Sequence, residues 1–153
     1  MNVEFINPFL NSIINVLTTM AMLEVKPGKP SLKKNAEASG DVTGLIGMTS
    51  DRAKGSLAIT FSESVIIEVA QRMLGEKPSG IDDTVTDLVG EITNMVCGGA
   101  KRELAEKGYD FDLAIPGMIK GKNHSVTHKA KGPAILVPFK TEFGAFYVEV
   151  AFE

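Results

Sequence analysis

The chain has 153 residues, of which 44% are hydrophobic and 23% are charged. This length favours one compact domain, and the composition supplies enough apolar side chains for a core and argues against global disorder. The 16 basic and 19 acidic side chains give a net charge of -3, which disfavours a strongly basic nucleic-acid binder.

Two further features narrow the class of protein. Cys97 is the only cysteine, which excludes an intrachain disulfide and any multi-cysteine metal or redox motif. No apolar run reaches membrane-spanning length, and the first residues lack the basic segment that opens a secretory signal. We therefore expect a cytoplasmic protein that does not act in the membrane.

The first half of the chain predicts helices separated by strands. The pair Asn7-Pro8 predicts the start of a first helix, because Asn caps well and Pro fits the first helical position. Ser62 and Gly75 predict the two caps of a second helix over residues 63–74. Three strand candidates lie between these helices, of which the first is charged and typical of an edge strand: residues 32–39, 42–49 and 56–61.

The second half begins with a long helix. Asp82 or Asp83 is expected to cap a third helix that runs to about Lys107, with Gly108 as its stop. In the last strand, alternation of apolar and polar residues predicts that Glu149 faces solvent. Four strand candidates follow the third helix: residues 111–115, 125–130, 134–140 and 145–152.

The order of elements repeats. A helix, a Pro-Gly pair and three strand candidates occur in residues 7–61 and again in residues 83–152, with Pro27-Gly28 matching Pro116-Gly117. We infer a single domain over residues 1–153 with an α+β fold. It consists of duplicated α-β-β-β units that form a largely antiparallel sheet, with helices packed on it and the helix 63–74 inserted.

The third helix carries a polar stripe. Asp87, Glu91, Asn94 and Gly98 follow the spacing i, i+4, i+7 and i+11, so all four lie on one face, away from the apolar residues. A solvated face is the common meaning of such a stripe. Asn is a mediocre helix former, however, so its place in mid-helix favours a functional role.

Glycines within the same helix support a functional role. Gly90, Gly98 and Gly99 each cost about 1 kcal/mol relative to Ala in a helix interior. Packing against the sheet can explain one of them, and Gly99 lies nearest the apolar stripe. Gly98 lies on the polar stripe, which indicates that a partner surface approaches there.

The string Asp87-x3-Glu91-x2-Asn94-x21-Pro116, with Pro-Gly after a short strand, resembles the signature of the CheC/CheX/FliY family of chemotaxis phosphatases. The repeated layout is similar to that family over nearly the whole chain. The resemblance implies a two-component signalling enzyme that hydrolyses the aspartyl phosphate of a CheY-like response regulator. It implies that Glu91 and Asn94 are the catalytic pair and that Asp87 and Pro116 help to bind the partner.

The first helix indicates the branch of the family. Members resembling CheC carry Glu-x2-Asn on both helices, whereas this chain has Ser12-x2-Asn15 at the equivalent spacing on the first. One complete site per chain resembles the CheX branch, and this resemblance implies a homodimer. Whether Ser12 and Asn15 form a vestigial site stays open.

The implied reaction fits the two side chains. Hydrolysis of an acyl phosphate needs a water in line with the leaving carboxylate oxygen, so catalysis is mainly positioning. Asn94 can accept a hydrogen bond from that water and donate one, and it adds no charge that repels phosphate. The resemblance implies that Glu91 engages a lysine of the partner; a general-base role is the alternative, weakened because glutamate is a poor base at neutral pH. Mg2+ is expected on the phosphorylated partner, and no cofactor on this chain.

The sequence also allows other functions. A non-catalytic module that binds receiver domains or flagellar-switch components is the main alternative, although retention of both Glu91 and Asn94 favours catalysis. A receiver domain lacks support because the β-α alternation is missing.

The remaining reactive side chains do not indicate a further site. His124 and His128 would stand roughly 13 Å apart in a strand, so no metal site is predicted, and Cys97 is expected to be a structural thiol. Two lysine clusters protect strand edges or steer an acidic partner: Lys26, Lys29, Lys33, Lys34 and Lys120, Lys122, Lys129, Lys131.

Overall fold

The computed structural model describes residues 3–33, 40–122, 124–128 and 133–153. Within these residues the chain forms three helices and eight strands, and every strand pairing is antiparallel. The predicted α+β class is confirmed. The helices are α1 Val3–Met20, α2 Glu63–Leu74 and α3 Asp83–Glu106, and the strands are β1 Lys26–Pro27, β2 Ser31–Leu32, β3 Val42–Thr49, β4 Lys54–Phe61, β5 Asp112–Leu113, β6 Gly117–Lys120, β7 Ala134–Thr141 and β8 Gly144–Phe152.

The strands form one sheet in the order β1-β7-β8-β4-β3-β5, with β2 also beside β7 and β6 also beside β3. The short strands β1 and β2, which precede β3 in the chain, therefore border the second half of the sheet. In return, β5 and β6, which follow α3, border the first half. This reciprocal arrangement is what two related halves would produce, and the duplication itself stays a prediction.

The register gives a different match for the Pro-Gly pairs. Ser31 lies opposite the third residue of β7 and Met118 opposite the third residue of β3, so these two occupy corresponding places. Pro27 precedes Ser31 by four positions, whereas Pro116 precedes Met118 by two. The two Pro-Gly pairs therefore do not occupy the equivalent positions that had been predicted, but differ by two residues in the register of the sheet.

The core lies between the helices and one face of the sheet. α1 and α3 pack side by side, and the apolar stripe predicted for α3 is turned inward, with Val89, Ile92 and Val96 fully buried. Aromatic rings fill much of the space below them: Phe9, Phe61, Phe111, Phe139 and Phe146 have no exposed surface. Burial of these side chains is the main favourable term in folding. None of the described helices combines the length and apolar character that a membrane span requires.

The ends of α3 match the predicted signals. The carboxylate of Asp82 accepts a hydrogen bond from the backbone N–H of Val85 at 2.9 Å, and Gly108 adopts a φ of 92° just after the helix. α2 has the predicted bounds, and Gly75 is its C-terminal cap with a φ of 81°, but its N-terminal capping differs because the side chain of Ser62 does not cap the helix. Asp41 accepts from the backbone N–H of Glu63 at 2.7 Å, while the hydroxyl of Ser62 donates to the carbonyl of Ala145 at 2.9 Å.

Several predicted boundaries were wrong. α1 begins at Val3, with Pro8 inside it. Packing extends the helix to residues before Asn7, because Ile6 is buried and the ring centroids of Phe5 and Phe152 lie 4.6 Å apart.

The predicted strands also differ from the observed ones. The strand over residues 111–115 is reduced to β5, and β6 was not predicted. Of the strand over residues 125–130, Ser125 forms an isolated bridge, and residues 129–130 lie outside the described residues. Residues 34–39 of the predicted edge strand also lie outside them.

Glu149 does not face solvent, contrary to prediction. It is 1% exposed, and its carboxylate lies 2.6 Å from Nζ of Lys33 and 3.0 Å from Nε2 of His128. The segment that carries His128 covers this outer face of the sheet, where Val126 packs against Ala58. Alternation along β8 correctly separated the two faces, but it could not show that both faces are covered.

The two histidines and Lys33 make structural contacts. His124 Nε2 lies 2.5 Å from Oγ1 of Thr43, and His128 Nδ1 lies 2.5 Å from Oγ of Ser56, so each histidine ties the covering segment to the sheet. Lys33 is buried in its ion pair and therefore does not serve as a free steering charge. Lys34, Lys129 and Lys131 lie outside the described residues.

The buried ion pair predicts a specific acid response. Burial raises the pKa of Glu149, but hydrogen bonds from His128 and Lys33 and their positive charge outweigh it and hold the pKa below its ordinary value. A lowered pKa stabilises the fold above the carboxyl's unfolded pKa, and the stabilisation is lost as pH falls through the lower folded pKa. We expect Glu149→Gln to lower the free energy of unfolding at pH 7 by about 3 kcal/mol, because Lys33 is left buried without its charge partner.

Urea denaturation between pH 3 and pH 7 measures this effect. The wild-type protein should lose stability toward low pH more steeply than Glu149→Gln. Glu142→Gln, in the exposed turn between β7 and β8, is the matched control and should follow the wild type. Parallel pH curves for Glu149→Gln and wild type would show that the ion pair contributes no pH-dependent stability.

Candidate active site

α3 presents the predicted polar stripe to solvent. Asp87, Glu91 and Asn94 are exposed, and Gly98 is half-buried on the same face. The apolar residues on the opposite side of the helix are buried against the sheet, so the rotation of α3 is fixed by packing. The structure therefore brings together the four residues that the spacing placed on one face.

The acidic and amide groups of this stripe are available. Neither Glu91 nor Asn94 forms a side-chain hydrogen bond or an ion pair with another residue of the described chain. Residues three apart on a helix have Cβ atoms about 5–6 Å apart, so both side chains can contact one visiting group. The structure thus leaves an exposed carboxylate and an exposed carboxamide one helical turn apart on the same face of α3.

β6 and the turn before it border this stripe. A Cβ atom at Gly90 would lie 2.7 Å from Sδ of Met118, so the absence of a side chain at Gly90 lets Met118 lie directly on α3. Pro116, which is half-buried, stands two positions before Met118 in the chain. Pro116 therefore lies in the turn that leads into β6, the strand that packs on α3.

The three helix glycines have different explanations. A Cβ atom at Gly99 would lie 2.3 Å from Oγ of Ser12, so Gly99 allows close packing against α1. The sequence had predicted packing against the sheet instead. Gly90 accommodates Met118. A Cβ atom at Gly98 would have no described neighbour within 4 Å, so packing within the described chain does not explain this glycine.

The corresponding positions of α1 do not form a second surface pair. Ser12 is 9% exposed, and its hydroxyl donates to the backbone carbonyl of Val96 in α3 at 2.7 Å. Asn15 is exposed, and its side-chain oxygen accepts a hydrogen bond from Thr19 at 3.3 Å. The serine that stands in place of a glutamate is therefore an interhelical contact and points away from solvent.

The remaining reactive groups do not join the site. Cys97 is buried; burial raises its pKa to about 12, although Lys101 lowers it somewhat, so the thiol is neutral at physiological pH. Among the described residues no group of three or more His, Cys, Asp and Glu side chains is arranged to hold a metal ion.

Sequence reasoning missed two apolar residues at the edge of the site. Ile115 is 91% exposed and Met118 is 36% exposed, and they flank Pro116-Gly117. An apolar residue on each side of a Pro-Gly turn is the signal that could have identified them.

The adjacent glycines of α3 predict opposite effects on stability. Gly98→Ala should raise the free energy of unfolding by about 0.5–1 kcal/mol, because alanine favours the helix and meets no neighbour. Gly99→Ala should lower it by about 1 kcal/mol net, because the new methyl group displaces Ser12 from its hydrogen bond to Val96. Urea denaturation of both variants tests this, and a shift of the same sign in both would contradict the packing described here.

Comparison with known proteins gives consistent matches. The family model described as "Chemotaxis phosphatase CheX" matches residues 42–140, a span that contains α3 and Pro116. The crystal structure of chemotaxis protein CheX from Vibrio vulnificus is 55% identical, covers 98% of this chain and 99% of that chain, and superposes with a TM-score of 0.92.

Two more distant relatives carry functional names. The CheY-P phosphatase CheX of Thermotoga maritima is 25% identical over 139 residues, which are 90% of this chain and 88% of that relative. CheX from a CheX-CheY-BeF3-Mg+2 complex of Borrelia burgdorferi is 28% identical, covers 99% of both chains and has a TM-score of 0.83. The polar stripe of α3, the sheet that supports it and these similarities lead to one conclusion: the chain belongs to the CheX family of chemotaxis phosphatases.

Proposed function

We propose that this chain hydrolyses the aspartyl phosphate of a CheY-like response regulator, and that Asn94 positions the attacking water while Glu91 docks the partner. The observation that carries the proposal is the exposed pair Glu91 and Asn94 on one face of α3, neither of which has a side-chain partner among the described residues. The Thermotoga maritima relative is named as a phosphatase of phosphorylated CheY, which supports the same substrate class.

Asn94 has the chemistry that the reaction needs. In the hydrolysis, a water oxygen bonds to phosphorus as the bond from phosphorus to the aspartyl oxygen breaks, which yields inorganic phosphate and a free carboxylate. The side-chain carbonyl of Asn94 accepts a hydrogen bond from that water, and its NH2 group donates to a phosphoryl oxygen. Because the amide is neutral, it can come close to the phosphoryl group without electrostatic repulsion.

Glu91 is assigned to partner docking. Its carboxylate is exposed and has no cationic partner among the described residues, so it is free to pair with an ammonium group of the regulator. Such a pair orients the partner and brings its phosphoryl group against Asn94. Electrostatic pairs of this kind contribute mainly to orientation and association rate.

Asp87, Gly98 and Pro116 extend the proposed docking surface. Asp87 and Gly98 continue the stripe one turn on each side of the catalytic pair, and the lack of a side chain at Gly98 allows a partner backbone to approach α3. Pro116 supports the turn that borders the stripe. All three residues shape the surface rather than take part in the chemistry.

The metal for the reaction is assigned to the partner. In the Borrelia burgdorferi complex, CheX is solved with CheY, BeF3 and Mg2+, and BeF3 stands in for the phosphoryl group. We infer that the regulator carries Mg2+, which neutralises phosphoryl charge there. A homodimer and a cytoplasmic location, where a response regulator would be met, are retained as expectations, and light scattering measures the first.

The two residues of the pair predict different kinetic defects. Asn94→Ala should reduce stimulated dephosphorylation by about 100-fold or more, because the water is no longer positioned, while binding of the regulator persists. Glu91→Ala should weaken both binding and turnover. The measurement phosphorylates a regulator, removes the phosphodonor, and follows phosphate release and complex formation.

Asn15→Ala is the matched control, since Asn15 is an exposed asparagine on α1. It should leave both rate and binding unchanged. A wild-type rate for Asn94→Ala would show that this amide does not position the water. Binding by the wild-type protein without any acceleration would instead support a non-catalytic module.

Gly98 predicts a defect confined to binding. Gly98→Leu should retain the fold, because a Cβ atom there has no described neighbour within 4 Å, and should weaken regulator binding about tenfold or more by holding the partner away from the helix. Its thermal midpoint, measured beside its dissociation constant, separates loss of docking from loss of fold. Unchanged affinity would remove Gly98 from the docking surface.

A further inference from the structure

Exposed apolar side chains single out one edge of the candidate site. Among the described residues, Ile115 is the most exposed of the large hydrophobic residues, at 91%. Met118, at 36%, lies three positions further along the chain. Together, Ile115 and Met118 form the apolar rim of the site. Single exposed apolar residues are common on protein surfaces, so the rim gains meaning from how it is held and from what it borders.

The turn that carries Ile115 is attached to the sheet at both ends. The backbone N–H of Ala114 donates to the carbonyl of Gly47 at 3.0 Å, and Gly117 pairs with Leu45. Only Ile115 and Pro116 lie between these attachments, and proline restricts the backbone further. The chain therefore holds Ile115 out in solvent and cannot fold over to bury it.

Met118 makes the rim continuous with the polar stripe. Its side chain lies directly on α3 at Gly90, where a Cβ atom would come within 2.7 Å of its sulfur. Gly90 immediately precedes Glu91 in the helix. A partner that contacts Glu91 and Asn94 therefore meets apolar surface at the neighbouring edge.

This juxtaposition fits an enzyme with a protein substrate. Protein interfaces typically combine an apolar anchor with a polar surround, and the buried anchor supplies much of the affinity. The polar stripe alone consists of exposed charged and amide groups, which contribute more to orientation than to affinity. An apolar side chain on a backbone segment that is already attached to the sheet adds affinity at a lower entropic cost than one on a free loop, because the backbone is not ordered on binding.

We propose that the apolar rim, with Ile115 as its main anchor, binds an apolar patch of the receiver domain next to the phosphorylated aspartate. This inference rests on the proposed function, and it identifies Ile115 as a determinant of affinity for the regulator. The chemical step remains with Glu91 and Asn94, so the rim acts on binding.

The test compares Ile115→Ser with wild type in the phosphate-release assay. Ile115→Ser should raise the KM for the phosphorylated regulator about tenfold, because an isoleucine side chain is no longer buried on binding, while kcat stays within about twofold. Ile115→Leu, which keeps an apolar side chain of the same size, should restore the wild-type KM. A KM unchanged in Ile115→Ser, or a loss confined to kcat, would overturn the proposal.

Leu32→Ser is the matched control. Leu32 is 60% exposed and lies on β2, which borders β7 at the opposite side of the sheet from β6. The Leu32→Ser variant loses an exposed apolar side chain comparable to that of Ile115 and should keep the wild-type KM. An equal rise in KM for Leu32→Ser would show a general effect of removing surface apolar groups and would overturn the assignment.

Two measurements separate failure of this inference from failure of the proposed function. If the wild-type protein does not accelerate dephosphorylation, the proposed function fails, and the dissociation constants for a beryllofluoride-treated regulator then test the rim alone. Light scattering of wild type and Ile115→Ser addresses a second copy of this chain as the occupant. Loss of a dimer in Ile115→Ser would assign the rim to self-association and contradict the proposal.

Discussion

Burial of the apolar side of α3 is the constraint on which the site depends. Val89, Ile92 and Val96 have no exposed surface, and no rotation of the helix could expose them without a large loss of hydrophobic free energy. Because a helix repeats every 3.6 residues, fixing these positions also fixes the opposite face. Glu91 and Asn94 lie in solvent for that reason, on a support that does not need a ligand to form.

Close approach from both sides makes this support rigid. On one side, Ser12 of α1 packs against Gly99 and donates to the carbonyl of Val96. On the other, Met118 of β6 packs against Gly90. Both contacts need a glycine on α3, and glycine in a helix costs about 1 kcal/mol relative to alanine. The tertiary contacts offset that cost at Gly90 and Gly99, whereas Gly98 gains no contact within the described chain. The docking role proposed for Gly98 would account for a glycine that lowers stability without improving packing.

Ser12 determines how α1 contributes to the packing of the two helices. A small hydroxyl fits between the two helices and satisfies a backbone carbonyl, which a glutamate at a 9% exposed position could not do without burying its charge. The first helix therefore strengthens the platform under the site instead of carrying a second site. Ser12 and Asn15 therefore do not reproduce on α1 the exposed pair that Glu91 and Asn94 form on α3.

Local patterns in the sequence were sufficient for the elements that depend on near neighbours. The bounds of β3 and α2, the cap of α3 at Asp82 and the shared face of Glu91 and Asn94 follow from periodicity and capping, which act within a few residues. Long-range contacts produced the rest: the start of α1 beyond Asn7, strand β6, and the rim at Ile115. Burial of Glu149 belongs with these, because its partners Lys33 and His128 are distant in sequence. The sequence by itself determined which side chains share a face; only the tertiary structure decided which faces are covered, since covering a face requires segments that periodicity cannot bring together.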